Sequence, residues 1–377
     1  GSLPALFLIV KSSEVAAEIR QAGVIYLKNL VFRQWGAEFL SRTAADGTPE
    51  VQPPTFSEED KQVVRSGLIE AITDADHLTR PQLIEMMRKI MAFDFPDRMP
   101  GFVQEIQAGL DVTSSDPKRT RASLLACRAL AKTYEYKPPD KRVPLLNVLP
   151  IILPLLANLL EVVLNPDTPA QQQELADEFI KPAIKTLWSC VHQSVPPTLH
   201  DIPEFMRWMT ILYRVIERPV PPNAMRGPAD DPAILAKMPY WSAKRWAVQT
   251  MHRLIHRYGN PRALEKASGR PAELALSQAF HDQVSTRFLQ LFLQLLATTT
   301  QGGFLPERLL VEALNYLMAC ISLAVTWQQL KPHAIDLVTQ VLFPVLCFSP
   351  ADVELWDCDP IEFIRTSYDI MEDCTSQ

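Results

Sequence analysis

Glycine is scarce in this chain. Only 12 of 377 residues are glycine, against 32 prolines. Enzymes built on tight strand-to-helix turns and phosphate-cradling loops depend on glycine at those turns. No Gly-x-x-x-x-Gly-Lys-Ser/Thr, Gly-x-Gly-x-x-Gly, His-Glu-x-x-His or Gly-x-Ser-x-Gly sequence occurs. The usual signatures of nucleotide, zinc-protease and serine-hydrolase chemistry are therefore missing, and no catalytic residue, cofactor or metal is expected. The six cysteines, at 127, 190, 320, 347, 358 and 374, form no Cys-x-x-Cys pair. That excludes a zinc ribbon or a thioredoxin-like motif and leaves them as small core residues in a reducing compartment. No signal peptide is evident. The longest apolar run, Val143 to Leu164, is interrupted by Pro144, Asn147, Pro150, Pro154, Asn158 and Glu161, so it is not read as a membrane span. Gly1-Ser2 reads as a cloning remnant, with the natural sequence expected to start at Leu3 inside a longer protein.

Charge is unevenly placed. The net charge is −6, and Ser349 to Gln377 holds eight acidic residues against a single basic one, Arg365. The acidity belongs to that end, and the remainder is near neutral. Bulk attraction to nucleic acid is not expected.

Helical periodicity is present nearly everywhere, and no stretch shows sustained strand alternation. Residues Glu14 to Trp35 scan as one helix with Ser13 as its N-cap. Val24, Leu27, Val31 and Trp35 share one face. Lys28 lies at the edge of that stripe, and Asn29 nearly opposite. Residues 36–56 read as a loop, and Ser57-Glu-Glu-Asp60 opens the next helix with acids where the helix dipole favours them. Further helices are expected at 76–93, 99–111, 115–136, 141–164, 169–194, 201–217, 240–258, 271–298, 304–327, 331–347 and 360–373. Prolines between them mark sharp stops. The pattern reads as roughly seven helix pairs at a period of 40–47 residues, an all-α solenoid in which each unit buries its apolar face against its neighbours.

Several segments carry a resemblance. Ile25-Tyr-Leu-Lys-Asn-Leu30 with Trp35 resembles the Leu-Lys-Asn…Trp segment of the importin-β N-terminal region. Asp94-Phe-Pro-Asp-Arg98 resembles a helix end of the same family, with Met99 where tryptophan is usual. Tyr134-Glu-Tyr-Lys137, Trp241-Ser-Ala-Lys-Arg-Trp246-Ala, Arg257-Tyr-Gly259, Thr326-Trp-Gln-Gln-Leu-Lys-Pro-His333, Phe343-Pro-Val-Leu-Cys347 and Glu354-Leu-Trp356…Asp359-Pro-Ile-Glu-Phe-Ile-Arg365 are similar to the importin-7/importin-8 class. They run in the same order over nearly the whole chain. The resemblance implies a HEAT-repeat α-solenoid, here an N-terminal fragment without the first repeat. Its repeats would lie at 3–35, 57–136 (two), 141–259 (two, with a proline-rich insertion at 219–239), 271–327 and 331–373, the last with an acidic loop.

The same resemblance implies a nuclear import receptor shuttling between cytoplasm and nucleus. Its partners would be Ran-GTP, basic cargo such as ribosomal proteins and histones, phenylalanine-glycine repeats of nucleoporins, and importin-β. In the family, inner helices line the concave side where Ran-GTP sits. That makes Lys28 the leading Ran contact, with Arg20 and Asn29 on the same helix. Asn29 also reads as structural, bonding a neighbouring loop, and Trp35 as core. The acidic residues Asp352, Glu354, Asp357, Asp359 and Glu362 are candidates for basic partners, or else a solvated loop. Asp230-Asp231 is a weaker acidic candidate. Lys118-Arg119-Thr120-Arg121 places positive charge against a helix N-terminus, which hints at a partner. His252 and His256 have metal-ligand spacing but cationic neighbours. An export receptor of the same family and a Ran-independent solenoid scaffold are the alternatives.

Overall fold

A computed structural model describes residues 2–36, 42–43, 49–50, 56–112, 116–165, 167, 170–225, 227, 231–267, 269–348 and 350–365. The described chain is helical, apart from a two-residue antiparallel pair, Arg42–Thr43 with Pro49–Glu50, in the connection expected to be a loop. Helices α1 (Ser2–Lys11) and α2 (Ala17–Gln34) form the first pair, α3 (Glu58–Asp74) and α4 (Thr79–Asp94) the second, α5 (Phe102–Leu110) and α6 (Pro117–Tyr134) the third. The fourth is α7 (Val143–Val163) with α8 (Ala170–Val191). Helix α9 (Ile202–Glu217) pairs with α11 (Pro239–Tyr258), the short α10 (Pro232–Ala236) lying between them. After α12 (Pro261–Lys266), α13 (Pro271–Ala279) runs through a π-turn into α14 (Ser285–Thr300), which packs on α15 (Glu307–Ile321).

The pairs stack in two layers. In the second layer α2, α4, α6, α8, α11 and α15 each touch the next in order, while α1, α3, α5, α7, α9 and α14 lie behind them. The second-layer helices start at residues 17, 79, 117, 170, 239 and 307. These intervals are both shorter and longer than the expected 40–47, because the connections vary in length. Hydrogen bonds between neighbours in this layer join residues separated by 54 (Lys28–Gln82), 57 (Arg128–Lys185), 60 (His252–Glu312) and 61 (Arg253–His192) positions.

Local chemistry sets the helix ends. Ser57, Asp116 and Asp201 each accept a backbone N–H in the first turn of α3, α6 and α9, satisfying donors the helix cannot. Ser13 does not cap α2. That helix starts at Ala17 with Ala16 at its N-cap, since residues 12–16 turn between α1 and α2. At the other end Gly36 takes φ +83°. A Cβ there would sit 2.6 Å from the Phe93 ring, so glycine meets both the left-handed turn and the close approach.

Many prolines sit in first turns, as at Pro117, Pro239 and Pro271, where the missing N–H costs nothing. Pro150 and Pro154 lie inside α7 and Pro182 inside α8, so proline does not always stop a helix here. The apolar α7 packs against α5, α8 and α9. The helix expected over 304–327 is two. It breaks after Ile321 and turns by 118° before α16 (Ala324–Leu330), with Thr326 Oγ1 donating to the Cys320 carbonyl at 2.7 Å. Beyond it lie α17 (Ala334–Asp336), α18 (Phe343–Leu346) and α19 (Pro350–Cys358).

The apolar core runs the length of the stack. Val24, Leu27 and Val31 are fully buried and Trp35 is 1% exposed. Two clusters of charged groups are buried within it. Asp94 Oδ2 accepts from Trp35 Nε1 at 2.9 Å and from Arg65 Nε at 2.7 Å, while Arg65 Nη1 donates to Glu58 at 2.7 Å. Further along, buried Glu135 accepts from Ser189 Oγ at 2.6 Å and lies 3.1 Å from Lys132 and 3.5 Å from Arg128. Arg142, also buried, donates to the Ser189 and Cys190 carbonyls. These clusters join residues far apart in sequence and fix the register of one helix pair on the next.

Candidate partner-binding surfaces

Helix α2 presents its polar side beside α4. Lys28 is half-buried, and its Nζ donates to Gln82 Oε1 at 2.9 Å. Its stem lies along the α2–α4 seam with the charge at the surface, as long cations do. Asn29 is exposed, and its carbonyl accepts from Arg33 Nε within the same helix at 3.2 Å. Lys28, Asn29, Phe32, Arg33 and Glu85 line one shallow cleft. Lys89 Nζ stands over the Phe32 ring at 5.7 Å and the Phe93 ring at 4.9 Å.

Arg20 is elsewhere, two turns toward the N-terminus, with Nη2 3.3 Å from Asp76 Oδ2. Asp76 in turn accepts from the backbone of Leu78 and Thr79. Burial would raise the Asp76 pKa, but those hydrogen bonds and the Arg20 charge hold it below the usual value. The structure therefore brings Lys28 and Asn29 together and leaves Arg20 in the joint between α2 and the α3–α4 turn.

The acidic segment is helical and not a loop. Asp352, Glu354 and Asp357 lie on α19, and residues 360–365 are helical too. Asp359 Oδ1 accepts from the Glu362 N–H at 3.0 Å, capping the second piece, and Arg365 Nη2 donates to Glu362 at 3.3 Å. Glu354, Asp357 and Asp359 are exposed, while Asp352 and Glu362 are half-buried. Residues 366–373, which carry the remaining acids, lie outside the described residues, as does Asp230. Asp231 caps α10 by accepting from Ala233 N–H at 2.8 Å.

The basic start of α6 has a partner within the fold. Asp116 accepts from the N–H of Lys118 and Arg119, so the dipole there meets a carboxylate before it meets the cations. Arg121 pairs with Glu178 on α8. His252 does not share a ligand set with His256. Its Nδ1 lies 2.8 Å from Glu312 Oε2 on α15, and no group of three metal-ligating side chains occurs among the described residues.

One cluster escaped the sequence reading. Lys181 and Lys185 on α8 and Arg245 on α11 face a common cleft with Trp246. The signal was a pair of lysines four apart on α8. Only the fold sets them against the Lys-Arg step of the Trp241-to-Trp246 segment.

A double layer of helix pairs, each touching only its neighbours, defines a HEAT-type α-solenoid. The fold matches a solved structure of "The exportin Cse1 in its cargo-free, cytoplasmic state" with a TM-score of 0.72 at 16% identity, covering 97% of this chain and 36% of that one. Residues 1–74 match the importin-beta N-terminal domain. The chain is 32% identical to Importin-8 of Homo sapiens over 381 aligned residues, 99% of this chain and 34% of that protein. It is 29% identical to the Importin beta-like SAD2 homolog of Arabidopsis thaliana, over 95% of this chain and 32% of that protein. The similarity thus lies with the importin-β family, through the N-terminal domain and, over nearly the whole chain, through proteins named importin-8 and importin-7 homolog. It spans about a third of the length of these relatives.

Proposed function

We propose that this chain works within a nuclear import receptor that shuttles between cytoplasm and nucleus. In this reading Ran-GTP sits on the second-layer face around Lys28 and Asn29. Basic cargo of the ribosomal-protein or histone kind is held by acidic surface that includes Asp352, Glu354, Asp357, Asp359 and Glu362. Nucleoporin phenylalanine-glycine repeats dock between first-layer helices, and importin-β is a further partner. Ran-GTP and cargo would then compete through linked sites on one stack.

The observation that carries the reading is similarity to importins sustained over 99% of the chain at 32% identity. The Lys28–Asn29 cleft supports it, since a half-buried lysine stem ends there in a charge at the surface. The test is retention of the chain on immobilised Ran loaded with a non-hydrolysable GTP analogue or with GDP. Retention specific to the GTP state is expected, and equal retention on both overturns the Ran assignment. A basic histone segment added first should be released by Ran-GTP. Joint binding of both would instead assign an export receptor.

A further inference from the structure

The cleft between α8, α10 and α11 is cationic in a chain whose net charge is −6. Lys181, Lys185 and Arg245 line it, and all three are half-buried. None of them pairs with a carboxylate among the described residues. Of the nearby acids, Glu135 is bound by Arg128, Lys132 and Ser189 and Glu312 by His252, while Glu307, an exposed residue of the same lining, forms no ion pair with these three cations. Cations gathered without counter-charge and partly withdrawn from water are costly, and a carboxylate-bearing ligand would relieve that cost. The effect is visible at Lys185. Burial, with the charges of Arg128, Lys181 and Arg245 added, pushes its pKa down to about 8.

The shape is as specific as the charge. Lys185 Nζ lies over the Trp246 ring at 4.9 Å and the Arg245 guanidinium at 5.1 Å. Trp188 packs against Trp246 at 5.8 Å and stacks on His192 at 5.6 Å. The cations are thus held in place by aromatic walls, and Pro232, Ala233 and Phe304 give the cleft an apolar side. A nucleic acid strand needs open aromatic faces on which bases stack, and these indoles are already in contact. An acidic peptide needs only fixed cations and an apolar wall.

We propose that this cleft is a docking site for a short Asp/Glu-rich segment of a partner protein. The surface is separate from the Lys28–Asn29 cleft, and its charge is opposite to what a basic cargo would seek, so it stands or falls independently of the Ran assignment.

The test is fluorescence anisotropy of a labelled Glu-rich peptide of about a dozen residues titrated with the intact chain. Binding that weakens with salt is expected. Lys185→Gln with Arg245→Gln should weaken it about tenfold or more, given the strength of charge-assisted hydrogen bonds. Lys118→Gln with Arg119→Gln, at the start of α6, should leave it unchanged. Removing like charges should keep the melting temperature of the double variant at or above the parent's, and Lys181→Gln alone supplies a milder second variant. Equal binding by parent and both cleft variants overturns the proposal. So does tighter binding of a uridine oligonucleotide that the same variants abolish, which would make the cleft a nucleic-acid site. Self-association of the parent that the variants abolish would assign it to a second copy of the chain.

Discussion

Asp94 and Arg65 meet inside the core, 2.7 Å apart between Oδ2 and Nε, and the same carboxylate oxygen receives the Trp35 indole N–H. One acid at the end of α4 thus ties α2 and α3 to it. Removing a single member of a buried pair leaves a charge without compensation, at a cost of about 3–5 kcal/mol. Asp94→Ala is expected to destabilise the first two pairs by that amount. Asp94→Asn, which keeps an acceptor for Trp35, should cost less. Hydrogen exchange should show the loss in α2, α3 and α4, with little change beyond α8. Uniform loss along the chain would show that the stack unfolds as one unit.

The start of α6 offers a smaller and cleaner test. Asp116 caps the helix by accepting from the backbone N–H of Lys118 and Arg119. Asp116→Ala is expected to cost about 1–2 kcal/mol in chemical denaturation, the range for a lost N-cap. Asp116→Asn keeps the cap but not the charge, and it should fall between parent and Ala.

Lys244 gives a pH signature. It is buried, its Nζ donates to the Arg218 carbonyl at 2.8 Å, and it stands over the Tyr240 ring at 4.9 Å. Burial, with the Arg218 charge behind it, pushes its pKa from 10.5 to about 7. The unfolded chain then holds a proton that the folded chain releases between about pH 7 and 10.5, so this residue makes stability rise with pH across that window. The penalty is full below pH 7. Lys244→Met should therefore gain most over the parent near pH 6 and progressively less toward pH 10. A constant difference across the window would show that Lys244 stays charged in the fold.

The Lys28 cleft makes a directional prediction for Ran. Lys28→Asp reverses the charge and also removes the donor to Gln82, and about tenfold weaker binding of Ran-GTP is expected, the loss of one charge-assisted contact. Arg20→Gln should act differently, loosening the α2 joint to Asp76 and lowering thermal stability with little change in Ran affinity. Surface plasmon resonance and thermal unfolding on the same proteins separate the two effects. Unchanged affinity in Lys28→Asp removes that lysine from the contact surface.

Much of the stack could be read from residues close in sequence. The Val24-to-Trp35 stripe is core because its spacing allows nothing else, and Ser57 and Asp201 cap the helices they precede. What escaped depends on contacts across 29 to 61 positions. Arg65 gives no sign of Asp94, nor Lys28 of Gln82, until α4 is laid against its neighbours. The Lys118-to-Arg121 run looked unbalanced because the cap at Asp116 went unread and the partner of Arg121, Glu178, lies 57 residues away. The acidic end looked like a loop because its acids mask a helical spacing, and the π-turn at 280–284 and the sharp turn at 322–323 leave no mark in hydrophobic periodicity. The lysines of α8 and Arg245 sit on different helices, so no local pattern could put them in one cleft.

The second layer connects only neighbours, which has a mechanical consequence. Joints in series add their compliances, so the softest joint takes most of any deformation. The α6–α8 joint is clamped by Glu135, Ser189 and Arg142. The α8–α11 joint is held by Arg253 on the His192 carbonyl and Tyr258 on the Val195 N–H, while Lys181 and Lys185 repel Arg245 across it. An anion lodged there would relieve that repulsion and stiffen this joint, which the rest of the series would then have to bend around.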